Sequence, residues 1–187
     1  MKKVIAGKPG VQTKKRFSGG FEGNAARALQ TPSDLSRSSV NDVAAELNPI
    51  VADSFALYVK TKNFHWHLSG PHFRDYHLLF DEQAEAIFES IDILAERVRK
   101  IGGVTIKSVS HISKLQTIDD DNDDFVEPSD MIQRLLQDNR TTAESMRKAI
   151  SVCEDNEDSP SGNILQDILD QTERRIWFLS EISSGEK

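Results

Sequence analysis

The cleanest periodic run in the chain is Phe73, His77, Phe80, Ala84, Ile87, Ile91, Leu94, Val98 and Ile101, at steps of three and four, and it stops at Gly102-Gly103. Such spacing makes an amphipathic helix, and glycine supplies the left-handed backbone that ends it. Upstream, Val40, Val43, Leu47, Ile50, Leu57, Phe64 and Leu68 define one long helix of about 30 residues, stopped by Ser69-Gly70-Pro71. About four residues join these two helices, so they lie antiparallel. A third run starts near Pro128-Ser129 and passes through Ile132, Leu135, Met146, Ile150 and Cys153. A fourth starts at Ser159-Pro160, a good N-cap and first helical residue, and passes through Leu165, Ile168, Leu169, Ile176, Leu179 and Ile182. The acidic turn between them is short, giving a second antiparallel hairpin.

The connection from Gly103 to Pro128, about 26 residues, can cross a bundle ~40 Å long. It holds a short helical segment, Ser108 to Leu115, and the acidic run Asp119 to Asp124, expected at the solvent surface. No stretch shows the alternation of a strand. Two tight hairpins joined by one long crossover is an all-α, ferritin-like four-helix topology. The expected organisation is an arm over 1–38, the bundle over 39–183 and a short tail over 184–187.

Charge divides along the same boundary. The 187 residues carry −7 overall, yet Lys2, Lys3, Lys8, Lys14, Lys15 and Arg16 stand in the first twenty with no acid, so +6 there leaves −13 for the rest. The arm also lacks periodicity, as disordered segments do, and a basic transit peptide is the competing reading. The acidic body argues against nucleic acid and the arm argues for it. The single cysteine, Cys153, excludes an internal disulfide, favours a reducing compartment and reads as a small buried hydrophobe. No apolar stretch approaches the ~18 residues of a membrane span, and Val4-Ile5-Ala6 is too short for a secretory signal. The expectation is a cytoplasmic protein with no membrane partner.

Four of the five histidines, His65, His67, His72 and His77, fall within thirteen residues. His77 with Asp81, and Asp92 with Glu96, are i,i+4 pairs that each project from one helix face. Imidazole with carboxylate suits iron, manganese or zinc, although such pairs also occur on plain solvated faces. From His77 to Asp92 is about 22 Å along a helix at 1.5 Å per residue, so one chain cannot close both pairs on one ion. Asp81 and Asp92 are about three whole turns apart and share a face. If this helix met its own copy antiparallel about a two-fold near Ala86-Ile87, residues 77 and 81 of one chain would face 96 and 92 of the other, making two equal sites. The centre usual inside a ferritin-type bundle needs Glu-x-x-His. The residues three before the histidines are Lys62, Phe64, Ser69, Arg74 and Ser108, so that centre cannot be built.

The stretch Lys62-Asn63-Phe64-His65-Trp66-His67-Leu68-Ser69-Gly70-Pro71-His72-Phe73, with His77, Asp81, Asp92, Leu94-Ala95-Glu96-Arg97 and Ile101-Gly102-Gly103, resembles the Dps family of mini-ferritins. The resemblance covers roughly residues 40–182. It implies a hollow homo-dodecamer with ferroxidase sites at two-fold interfaces, ligated by His65, His77 and Asp81 of one chain and Asp92 and Glu96 of its mate. It further implies that Fe(II) is oxidised, preferentially by hydrogen peroxide, with oxygen as the other possible oxidant, and stored as ferric mineral. Trp66 matches the family's aromatic beside the iron. Acidic pores at three-fold axes are implied, with Asp158 and Asp167 as contributors, although Asn163 stands where many relatives carry an aspartate. Lysine-rich arms of the family bind DNA without reading sequence, which gives the six cations of the arm a partner. The alternative is a nucleoid-compacting structural protein whose metal chemistry is incidental. His67, about 200° from His65 around the helix, reads as surface, His72 and His111 as bland, and Trp177 and Phe178 as packing in the core or a subunit contact.

Overall fold

The computed structural model describes residue 29 and residues 31–184, so the six arm cations lie outside the described residues. Five helices are found among them: α1 (Arg37–His67), α2 (Phe73–Lys100), α3 (Val109–Leu115), α4 (Pro128–Asp155) and α5 (Ser159–Ser184). There is no strand among them, and none of their helices is long and apolar enough to cross a membrane. The all-α bundle with a helix-bearing crossover is what the periodicity indicates.

Three termini differ from the sequence reading. α1 starts at Arg37, where Ser36 accepts from the Ser39 N–H, and Thr31 Oγ1 already donates to the Arg99 carbonyl at 2.9 Å. The compact unit thus begins at Thr31 rather than after residue 38. α5 runs through Ser184, into the span expected as tail. Its cap is Asp158, which accepts from the Ser161 N–H at 3.2 Å, so Ser159 and Pro160 are its first two residues. An ionised carboxylate is the stronger acceptor for the open N–H groups of a first turn.

α1 is the central helix, packed against α2, α4 and α3. That position explains how it runs unbroken through Pro49: an interior proline costs ~3 kcal/mol, which burial on several sides offsets. It also explains the polar groups α1 buries. Lys60 Nζ reaches Asp138 Oδ2 of α4 at 2.6 Å, and Asp53 accepts from Thr117 Oγ1 at 2.8 Å and the Ile118 N–H at 3.1 Å, pinning the crossover. Arg97 of α2 grips Asp158 and Ser161 at the start of α5, so these helices are antiparallel too.

The core falls into two apolar clusters. One gathers Leu47, Val51, Leu94, Val98, Met146 and Leu165, and the other Phe64, Phe80, Ile87, Ile132, Leu135 and Leu179. Between them lies a polar belt that the apolar pattern does not reveal. Arg175 donates from Nε to Asn139 Oδ1 at 2.8 Å and from Nη2 to Thr172 Oγ1 at 2.7 Å, while Asn139 donates to the Leu135 carbonyl at 2.8 Å. Cys153 is buried, as expected, and burial pushes its thiol up to about 11.

A candidate metal half-site on the face of α1 and α2

Leu68 to His72 turn the chain from α1 into α2, with Gly70 at φ 104° accepting from the Phe73 N–H at 3.1 Å. This turn brings His65, in the last turn of α1, beside His77, in the second turn of α2. Their rings stack with centroids 3.7 Å apart and planes 19° from parallel, and Phe73 covers the other face of His77 at 5.0 Å. Each imidazole is fixed by the other's backbone: His65 Nδ1–H donates to the His77 carbonyl at 2.9 Å, and His77 Nδ1–H to the His65 carbonyl at 3.0 Å. A carbonyl only accepts, so each Nδ1 carries the proton and each neutral ring keeps its lone pair on Nε2. Backbone-anchored Nδ1 with free Nε2 is the usual preparation of a metal-binding histidine.

Asp81 completes the group, with its Oδ1 3.8 Å from His65 Nε2. The same oxygen accepts from Lys62 Nζ at 2.6 Å. Lys62 holds the Asp81 carboxyl below the usual carboxylate range, against the opposing pull of desolvation, and His65 and His77 add to the lowering. In the sequence Lys62 marks only the absence of a glutamate, yet its place three residues before His65 puts it on the same helix face. Its ammonium lies 6.0 Å from the centroid of the Trp66 ring, which is 63 % exposed.

Asp92 and Glu96 do not join this group within the chain. α2 is continuous from 73 to 100, so Asp92 lies about 22 Å along it from His77, on the same face. Both are exposed, and Glu96 pairs with Lys100 at 3.0 Å. Among the described residues, one chain holds no cluster of three or more His, Cys, Asp or Glu able to enclose a metal ion. Between the His77/Asp81 pair and the Asp92/Glu96 pair, Phe88 is 55 % exposed and leans on Tyr58 of α1 at 5.1 Å, while Val59 and Val109 are also bare. The face that carries both halves of the ligand set is therefore apolar at its middle and edge.

The remaining candidates separate. Asp158 is 1 % exposed, and Arg97 together with the first turn of α5 occupies its oxygens, so its place in this chain is a buried cap, not the wall of a pore. Asp167 is exposed on α5. His67 is exposed, its Nδ1–H on the Asn63 carbonyl at 2.9 Å. His72 is the N-cap of α2 and His111 lies in α3. Trp177 is 59 % exposed, which removes it from the core. Of the acidic run, Asp121 and Asp123 are clasped by Arg134 at 2.7 Å each.

Comparison with known proteins agrees with this architecture. The ferritin-like domain family model matches residues 44–185, which makes the chain a member of the ferritin-like family. Within it, the chain is 31 % identical over 137 residues to the DNA protection during starvation protein of Brevibacillus brevis, covering 73 % of this chain and 91 % of that one. It is 33 % identical to a low temperature-induced protein of a Nostoc species, covering 75 % and 79 %. DpsC from Streptomyces coelicolor superposes with a TM-score of 0.79 at 29 % identity, covering 81 % of this chain and 89 % of that one. The chain is a mini-ferritin of the Dps family.

Proposed function

We propose that two copies of the chain pair antiparallel through the exposed face of α1 and α2 and share two ferroxidase sites. His65, His77 and Asp81 of one copy meet Asp92 and Glu96 of the other. The observation that carries this reading is the mutual anchoring of the two imidazoles, which leaves two Nε2 lone pairs beside Asp81 while the matching carboxylates wait three turns further along the same face. Fe(II) is the substrate. Nitrogen donors retain Fe(II), and hard carboxylates favour the Fe(III) product. Two Fe(II) ions each give one electron to one hydrogen peroxide, whose O–O bond breaks, and two protons complete two waters. Pairing the electrons in this way avoids releasing a hydroxyl radical. Trp66, next in sequence to His65, takes up stray oxidising equivalents in this reading. The ferric product is stored in a hollow homo-dodecamer in the cytoplasm, with Asp167 contributing to the acidic path by which iron enters.

Anaerobic Fe(II) titration followed by peroxide tests this. Ferric absorbance should develop at two Fe(II) per peroxide and should fall at least ~100-fold in rate in His65→Ala/His77→Ala. Wild-type rates in that variant would overturn the site.

A second activity is supported by charge: six cations in the first twenty residues, on a body of −13. We assign Lys2, Lys3, Lys8, Lys14, Lys15 and Arg16 to sequence-independent phosphate contact with DNA, multiplied by twelve arms on one shell. Deleting residues 1–20 should abolish DNA retardation at low salt and leave iron oxidation unchanged. Retardation that survives the deletion would remove the arm from the account. On the structural, nucleoid-compacting alternative the same deletion removes the protein's main activity, whereas the ferroxidase reading keeps iron oxidation as the main activity.

A further inference from the structure

The opposite side of α2 carries a different kind of site. Gln83 follows Asp81 by two residues, about 200° around the helix, and so points away from the metal-bearing face. There α2 and α5 border an open cleft of about 370 Å³, lined by Gln83, Glu82, Gln171, Arg174, Arg175 and Phe178. Two features of its floor are unusual.

Arg175 is 7 % exposed, yet its hydrogen bonds go to two neutral groups, Asn139 and Thr172, and it has no acidic partner among the described residues. Burial pushes its guanidinium down to about 10, so it remains charged at neutral pH. A buried cation without a counter-ion is costly, and proteins normally pair one. Gln83 is 5 % exposed, and neither its Nε2 nor its Oε1 has a hydrogen-bond partner in the protein. An orphaned amide of this kind calls for a polar occupant. At the rim, Arg174 lies over the Phe178 ring at 5.2 Å and brings a second positive charge, against the single negative charge of Glu82. The cleft is thus net positive in a body that is strongly negative.

We propose that this cleft binds a small oxyanion of the phosphate class, held by the free Nη1 edge of Arg175 and the Gln83 amide, with Arg174 closing over it. A guanidinium edge suits a tetrahedral oxyanion, since it offers parallel N–H donors to two oxygens. The Gln83 Nε2 donates to a third oxygen. α2 and α5 touch less than any other pair of packed helices in the bundle, so an anion bridging them also ties the bundle together. The site does not depend on the iron reading, because it lies on another face and uses none of the same residues.

Calorimetric titration of the full-length assembly, dialysed free of phosphate, tests the proposal with inorganic phosphate as the probe and acetate as the comparison. One phosphate per chain should bind, acetate should bind more weakly, and the melting temperature should rise with phosphate. Gln83→Leu, which keeps the volume and removes the amide, should weaken phosphate by about tenfold, the scale of one charge-assisted hydrogen bond. Arg175→Met should abolish binding, Glu82→Gln should strengthen it, and Arg147→Gln, on an exposed surface ion pair, should leave it unchanged. If Arg175→Met fails to fold, Gln83→Leu decides. Absence of saturable binding up to ~10 mM phosphate, or equal affinity in Gln83→Leu and wild type, would overturn the site. So would a crystal grown with phosphate in which the cleft holds only waters or a carboxylate of a neighbouring copy.

Discussion

Lys62 is the residue whose role the geometry changes most. Its ammonium occupies the Asp81 oxygen nearest His65, which a bound cation must share or take over. A partly exposed ion pair is worth on the order of 1 kcal/mol, so Lys62→Met should raise the affinity of the half-site for a redox-inert probe such as Zn(II) by about fivefold. Unchanged zinc binding in that variant would show that the ammonium is no competitor. The pH dependence follows from the sign of the Asp81 shift. A lowered carboxyl loses its charge only as pH falls through a value below the ordinary aspartate 3.8, so Asp81 should keep its charge to lower pH than a free aspartate, as carboxyl titration by NMR would show. Removing Lys62 should move protonation of Asp81 upward. Of these residues, His77, Asp81, Asp92 and Glu96 were legible as spaced pairs, and His65 and Trp66 only through family resemblance. Lys62 was not legible, because a lysine on a polar face carries no mark of the carboxylate it will meet across a hairpin.

At the level of elements, helix ends show what local sequence does and does not reveal. α2 ends in a Schellman motif: the Gly103 N–H donates to the Val98 carbonyl at 2.9 Å, the Gly102 N–H to the Arg99 carbonyl at 3.0 Å, and Gly102 sits at φ 90°. Glycine announces that end in advance. α4 ends in the same motif, with the Asp158 N–H on the Cys153 carbonyl at 2.9 Å and the Glu157 N–H on the Glu154 carbonyl at 3.1 Å, yet the left-handed position is Glu157 at φ 58°. A non-glycine there costs about 1 kcal/mol. Glu157→Gly should therefore stabilise the protein by roughly that amount in urea unfolding, a gain that would vanish if the turn were not left-handed in solution. The same blindness hid the Asp158 cap, since Ser159-Pro160 is an equally good local signal. It also hid the polar belt, because Arg175, which also reaches Thr172, meets Asn139 only once α4 and α5 pack together. Helix number, order and hairpin pairing were readable because apolar periodicity and tertiary burial are the same fact seen at two stages.

For the molecule as a whole, the separation of His77 and Asp81 from Asp92 and Glu96 is decisive. A rigid helix keeps His77 about 22 Å from Asp92, so the proposed centre requires two copies. The face that holds them leaves Phe88 and Trp66 largely exposed, which a second copy would cover. Complementation measures this directly. His65→Ala/His77→Ala and Asp92→Ala/Glu96→Ala should each be inactive as ferroxidases. Unfolded together and reassembled in equal amounts, they should recover about a quarter of the wild-type rate, since random pairing makes half the dimers mixed and each mixed dimer has one of its two sites intact. No recovery in a mixture shown to contain mixed dimers, or full activity in either variant alone, would contradict a site shared across the two-fold.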